Sequence, residues 1–531
     1  MFVRLQTFHN KDGSSRSYLH LLRSRRVNGK TRQELVCTLG RLDVLRADGG
    51  LDRLIAGLAR YSERQWVQMQ ALTSGWDKVY DPALVFRRLW ERLGLDEEMH
   101  RLQAGTEVKF SVDEAAFAMV LHRLLDPGSK RATHRWLKTV YRPEFESLEL
   151  QHLYRCLAHL VAGKEKVEET LFARNRDLFS LGVDLVLFDT TLVHFEGHGP
   201  EELAAYGRPG NYPDCVKVLV GLIMTGDGFP VAHHVFPGNT ADISAFRHAL
   251  PDLRQRFPLR RVVIVADRGV VSEETMTELE RSGAEDKVKL DYILGMRLRK
   301  NKEVTEEVLS RAGRYHKVAD NLNAKEVWVN GHRYVVCHNA EAEERDRKRR
   351  EEIIECARED LCQKGAKAFV VPQGLRRFIR LVGGELMLKE SAIREEARYD
   401  GKWVLRTNTA LPTAEVALGY KSLWQIEQAF RELKSGLEIR PVFLRTEDHV
   451  RGHIVVCFLS LVLEAALQRL LKGHEANGSY RDVLADLRTV RAVQLKANGK
   501  SWLVRTELPA KAFAAFKTAG LRPPVHVQPI S

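Results

Sequence analysis

Five short apolar runs between residues 183 and 296 constrain this chain most: Val183–Phe188, Val216–Met224, Phe229–Phe236, Arg261–Ala266 and Leu290–Met296. Each is of strand length and rich in β-branched residues. The turn Thr225-Gly-Asp-Gly228 joins the second run to the third. Ile243–Phe257 has helical spacing and follows the loop Pro237-Gly-Asn-Thr-Ala-Asp242. Ser272 is placed to cap another helix. Strands joined by hairpins, then alternating with helices, predict a mixed α/β sheet.

Two acids, Asp189 and Asp267, directly follow the first and fourth runs. Side chains leaving strand ends at one sheet edge point into a shared crevice. Taken singly, each Asp reads equally as a turn former or a helix cap. A third acid lies on a long helix expected from Pro412 and Thr413 through Lys434. At about 100° per residue, Tyr420, Trp424, Glu427, Arg431 and Lys434 share one stripe of it. Leu423, Ile426, Phe430, Leu433 and Leu437 form the neighbouring apolar stripe. Glu427 and Arg431, four residues apart, also read as an ion pair. Asp189, Asp267 and Glu427 together could hold two Mg²⁺ ions about 4 Å apart. Hard oxygen ligands suit Mg²⁺, with Mn²⁺ as a possible substitute. Tyr420, Trp424, Arg431 and Lys434, with Arg268 beside Asp267, would then grip a DNA backbone next to the cut.

The charge balance agrees with a polyanionic partner. Lys plus Arg number 83 against 70 Asp plus Glu, a net +13. Residues 1–60 hold 12 basic and 5 acidic side chains. Ser17–Arg26 and Thr31–Leu39 flank Asn28-Gly29, a pair suited to a tight hairpin turn. That hairpin would carry Arg23, Arg25, Arg26, Lys30 and Arg32 as contacts to DNA; a solvated hairpin is the plainer alternative. Residues 51–178 read mainly as helices, with the capping box Ser111-Val-Asp-Glu114 opening one and the basic stretch Asp126–Arg131 breaking it. Glu326–His338 predicts a hairpin turning at Asn330-Gly331, and Ala340–Lys364 a solvated charged helix. The seven cysteines show no CxxC pair, so a zinc site or disulfide framework is not expected and a reducing cytosol fits. No signal peptide opens the chain, and Ile454–Leu463 is too short for a membrane span, so it reads as buried helix.

The segments LVLFDTTLVHFEG, VVIVADRGVVS and GYKSLWQIEQAFRELKSGLEIRPVFLRTEDHVRGHIVVCFLSL resemble the three catalytic blocks of bacterial insertion-sequence transposases. The resemblance is to DDE transposases of the insertion-sequence-four superfamily, and it covers roughly residues 180–475. Their signature is Tyr, two residues, Arg, three residues, Glu, six residues, Lys. Tyr420, Glu427 and Lys434 match it; Leu423 stands at the Arg position, and Arg431 lies on the same ridge. HHVFPGNTADISAF is similar to a further loop of the family. The resemblance implies a ribonuclease-H-like core with a β-rich insertion, here within the 160 residues between Asp267 and Glu427. The expected layout is a basic hairpin region (1–50), a helical DNA-binding region (51–178), core (179–297), insertion (298–400), core (401–475) and a C-terminal region (476–531). The resemblance further implies binding of terminal inverted repeats, excision, strand transfer into target DNA, and a homodimer in the synaptic complex, in the bacterial cytoplasm. A nuclease of the same fold without strand transfer, an inactive DNA-binding descendant, and a hydrolase of small phosphate esters are the alternatives. The basic N-terminal region and the Arg/Lys ridge disfavour the last.

Overall fold

The computed structural model describes residues 1–27, 30–61, 72–179, 185–207, 214–257, 262–267, 276, 290–299, 301–368, 378–382, 385–473, 479–497 and 499–530. They form two compact units: Asp77–Ala492 with Arg505–His526, and Met1–Trp76 with Val493–Val504 and Val527–Ser531.

In the smaller unit, β1 (Phe2–His9), β2 (Ser15–Val27) and β3 (Lys30–Arg41) make an antiparallel sheet in that order. The expected hairpin is present, with Val27 facing Lys30; the conformation of Asn28-Gly29 lies outside the described residues. β1 is invisible to periodicity because its apolar residues fall on both faces: Phe2 and Phe8 on one, Val3 and Leu5 on the other. Helices α1 (Leu42–Ala47) and α2 (Gly50–Ala59) follow. β4 (Thr73–Val79) closes a second sheet with strands from the far end of the chain.

The larger unit opens with α3 (Asp81–Arg92), α4 (Leu95–Ala104), α5 (Val112–Leu125), α6 (Lys130–Trp136) and α7 (Leu150–Phe179). The Ser111 hydroxyl accepts the Glu114 N–H at 3.1 Å and caps α5. The stretch Asp126–Arg131 is not loop throughout, because Ser129 caps α6 and Lys130 is buried in its first turn.

A sheet then forms around β5 (Leu185–His194), β6 (Lys217–Thr225) and β7 (Pro230–Pro237), an antiparallel meander. After α8 (Asp242–Arg256), β8 (Val262–Ala266) lies parallel to β5, and β9 (Leu290–Gly295) parallel to β8. The helix expected after Ser272 lies outside the described residues. β10 (His316–Ala319), β11 (Leu322–Val329) and β12 (His332–His338) come next, with the hairpin at Asn330-Gly331 as expected. The charged helix α9 (Ala340–Ala368), the hairpin β13 (Ile379–Val382) with β14 (Glu385–Leu388), α10 (Glu390–Ala397) and β15 (Lys402–Thr407) complete this stretch. The nine-stranded order is β10-β11-β12-β15-β9-β8-β5-β6-β7. The strands β10 to β12 of the 298–400 segment therefore lengthen the main sheet, joined to it through β15 against β9.

The chain closes with α11 (Thr413–Lys421), α12 (Trp424–Ser435), α13 (Glu447–Gly473), α14 (Tyr480–Thr489), β16 (Arg491–Ala497), β17 (Lys500–Arg505), α15 (Ala510–Ala519) and β18 (Val527–Ile530). Helix α13 is long and apolar enough to cross a membrane, but 78% of its apolar window is buried inside the protein, the position of a core helix. Alternation along β5 sorts two cores. Leu187 and Val193 join the core built on α5, α7, α12 and α13, while Val186 and Phe188 join one that includes Phe246 of α8.

Candidate active site

Asp189 sits inside β5, not at its end as the apolar run suggested. β5 keeps pairing with β6 as far as His194, well beyond its last partner on β8, the Leu187↔Val265 pair. The sequence alone sets no end there, because Thr190 to Val193 also suit a strand. β8 stops at Ala266, and Asp267, the next residue, lines the same cavity as Asp189. Asp189 has the parity of Leu187 and Val193 and so points to the face covered by α12.

The single long helix expected from 412 to 434 is two helices. Leu423 N–H bonds to Tyr420 O at 3.1 Å, a tight turn between α11 and α12. Leu423 is buried at the break, so this side chain, at the signature Arg position, provides no cation there. Tyr420 at the end of α11 still lines one cavity with Trp424 and Glu427, while Trp424, Glu427, Arg431 and Lys434 lie on α12. Ile426, Phe430 and Leu433 anchor α12 in the core, which leaves Glu427 at the rim. Among the described residues no ion pair joins Glu427 to Arg431, and Arg431 is exposed. The plain ion-pair reading of Glu427 therefore falls away.

Asp189, Asp267, Gly295, Tyr420, Trp424 and Glu427 line one cavity of about 400 Å³. The Tyr420 hydroxyl donates to Asp267 Oδ1 at 2.7 Å. Gly295 makes that approach possible, since a Cβ there would collide with the Tyr420 hydroxyl. Burial pushes the Asp189 carboxyl up to about 7, and the Asp267, Asp242 and Glu427 anions push the same way. The Thr190 N–H, donated to Asp189 Oδ1 at 2.8 Å, opposes them. Burial and Arg440 hold the Lys434 ammonium below its ordinary value, against the pull of Asp189. Lys434 thus lies within electrostatic reach of Asp189.

Asp242 was not singled out among the candidate residues. Its Oδ1 accepts the Thr190 hydroxyl at 2.7 Å, across the sheet from Asp189. The available signal was its position, opening α8 after a Pro-Gly-Asn loop. Arg268 lies outside the described residues. Arg23, Arg25, Arg26, Lys30 and Arg32 belong to the smaller unit, where all five are exposed.

Among the described residues, no three His, Cys, Asp or Glu close up into a group able to hold a metal. The donor set still suits a hard divalent cation: three carboxylates, of which Asp189 carries the electrostatic cost of the other two.

Asp189 on β5, Asp267 just past β8 and Glu427 on α12 thus line one cavity of a mixed α/β unit. Residues 182–463 match the family model described as "Transposase DDE domain", and residues 3–71 match "IS1634 family transposase, N-terminal domain". The first match spans more than half the chain, which belongs to this family: it is a DDE transposase of the bacterial insertion-sequence kind, an enzyme of DNA transposition. No curated protein matches the chain. Two solved structures are similar to it at a low level. One, a piggyBac transposase synaptic complex with hairpin DNA, shows 9% identity, a TM-score of 0.40, and coverage of 77% of this chain and 80% of that one. The other, a Mos1 transposase paired-end complex with left transposon end, shows 13% identity, a TM-score of 0.15, and coverage of 33% and 57%.

Proposed function

We propose that this transposase binds the terminal inverted repeats of its element, cleaves there and joins the 3′ ends to target DNA, with Asp189, Asp267 and Glu427 at the reacting phosphate. The observation that carries the reading is the gathering of these three carboxylates on one cavity, with Lys434 in reach of Asp189. The order β9-β8-β5-β6-β7, with only β6 antiparallel to its neighbours, supports a ribonuclease-H-like core.

Enzymes of this family use divalent metal ions. Asp189, Asp267 and Glu427 would hold Mg²⁺, or Mn²⁺ in its place, through oxygen alone. Bound there, divalent ions supply an activated water or 3′-hydroxyl and stabilise the leaving oxygen. The protein's own groups do the rest. Tyr420 orients Asp267, Lys434 and Arg431 neutralise the phosphates flanking the cut, and Trp424, 54% exposed at the cavity wall, offers a face for a base or sugar. Synapsis of two ends would take two copies of the chain.

The test is cleavage of a duplex carrying the element's own ends, followed by strand transfer from pre-cut ends. Asp189→Asn, Asp267→Asn and Glu427→Gln are each expected to lower both reactions by several orders of magnitude while end binding persists. Lys434→Ala should slow cleavage, with the loss narrowing as salt rises and screens the contact in the parent. Cleavage retained by any of the three acid variants removes that residue from the site. Cleavage without joining of pre-cut ends favours a nuclease of the same fold.

A further inference from the structure

β1 pairs with β2 only as far as the Phe2↔Leu22 pair. Beyond it, β2 and β3 run on as two strands, through Arg23↔Glu34, Ser24↔Gln33, Arg25↔Arg32, Arg26↔Thr31 and Val27↔Lys30. Among the described residues no third strand pairs with the arm, and Arg23, Ser24, Arg25, Arg26 and Lys30 through Gln33 are all exposed. Pairing parity puts Arg23, Arg25, Lys30 and Arg32 on one face, with Glu34 as the one anion. Glu34 lies 3.0 Å from Arg23 and 3.9 Å from Arg25, so it is shared between them. Arg25 stands directly across from Arg32, an arrangement that destabilises a bare hairpin. This face is short of anions.

Dimensions choose the anion. Five cross-strand pairs at about 3.4 Å each make an arm roughly 17 Å long. Two strands about 4.8 Å apart, with their flanking side chains, are roughly 10 Å across. The major groove of B-DNA is about 12 Å wide and 8.5 Å deep and admits a two-stranded ribbon; the minor groove, at about 6 Å, does not. Both walls of the major groove are lined by phosphates, and guanine presents two acceptors on its floor to an Arg.

We propose that the paired strands 23–27 and 30–34 lay their Arg23, Arg25, Lys30 and Arg32 face into the major groove of duplex DNA. The proposal rests on the DNA-acting reading above and extends it from contact with the backbone to occupancy of a groove. Glu34 partly neutralises Arg23 and Arg25 at the surface until phosphate replaces it.

The experiment uses the full chain and a mixed-sequence DNA duplex, titrated across KCl concentrations. Arg25→Ala/Arg32→Ala should weaken binding about tenfold or more and lower the log–log salt slope by about 2. Its thermal midpoint should hold or rise, since a like-charged cross-strand pair is gone. Glu34→Gln should bind more tightly than the parent. Dimethyl sulfate footprinting should show guanine N7, on the major-groove edge, protected by the parent and exposed in the double variant. Unchanged affinity and slope in the double variant, or protection confined to adenine N3 on the minor-groove edge, overturns the proposal. So does a change of oligomeric state in that variant with DNA binding intact, which would assign the face to a second copy of the chain. A parent that binds duplex through the arm yet never cleaves leaves the arm standing and removes the catalytic reading.

Discussion

Gly295 decides what Tyr420 can do. Its missing side chain lets the Tyr420 hydroxyl reach Asp267. Gly295→Ala is therefore expected to displace Tyr420 and lower the cleavage rate about tenfold or more, with little change in end affinity. Normal cleavage in that variant would show that the Tyr420–Asp267 contact is incidental. Lys130 is a second residue with a large consequence. It is buried among Arg123, His122, His453, Cys156 and Cys457, and no carboxylate pairs with it among the described residues. Burial first, then Arg123, lowers it from 10.5 to about 7. Between those values the unfolded chain binds the proton and the folded one does not, so stability rises with pH across that window. Lys130→Met should stabilise the protein by about 1–4 kcal/mol at pH 7, as apolar replacements of buried charge do. The gain should shrink as the pH approaches 10.5, measured by denaturant titration at several pH values.

At the scale of elements, one buried polar network ties α7, β7 and α8 together on the flank of the sheet. Glu168 Oε2 takes Lys164 at 2.8 Å and Arg256 at 2.7 Å, and its Oε1 accepts the His233 backbone N–H at 3.0 Å. Arg256 is also paired with Asp252 one turn back in α8. Burial pushes the Glu168 carboxyl up, but the His233 ring, 2.9 Å from Oε1, and then the Lys164 and Arg256 charges hold it below its ordinary range. Glu168→Leu would leave Lys164 without its buried anion, and a loss of about 3–5 kcal/mol is expected in chemical denaturation. A loss under about 1 kcal/mol, typical of an exposed pair, would show that water reaches the cluster.

For the whole molecule, the two ends of the chain depend on one another. The second sheet of the smaller unit has the order β18-β17-β16-β4, so three of its four strands come from beyond residue 490. A chain cut after Thr489 leaves β4 without its partners. Limited proteolysis is expected to open the 72–78 region in that truncation, and α3 beside it, since α15, which packs its buried Ala512, Ala515 and Phe516 into the main core, is lost as well. Equal resistance of the 72–78 region in both forms would show that β4 is held by something else.

Much of this protein can be read from its residues in order. The apolar runs placed four strands within a residue or two and the start of a fifth, β5, Asn330-Gly331 placed a hairpin, and the spacing of Tyr420, Glu427 and Lys434 pointed to the family before any fold was known. Local side-chain chemistry decides such features, so a linear reading recovers them. Other features were decided only in three dimensions. Where β5 ends depends on β6, a neighbour that pairs past the stop of β8. The break at Ser422 and Leu423 occurs because Leu423 has a core to enter. The joining of β10–β12 to the central sheet depends on β15 meeting β9, more than a hundred residues away. The proximity of Asp242 to Asp189 needs α8 laid across the strand that bears both Thr190 and Asp189. Periodicity reports which face of an element is buried; only tertiary packing reports against what, because contact free energy depends on partners that chain order does not name.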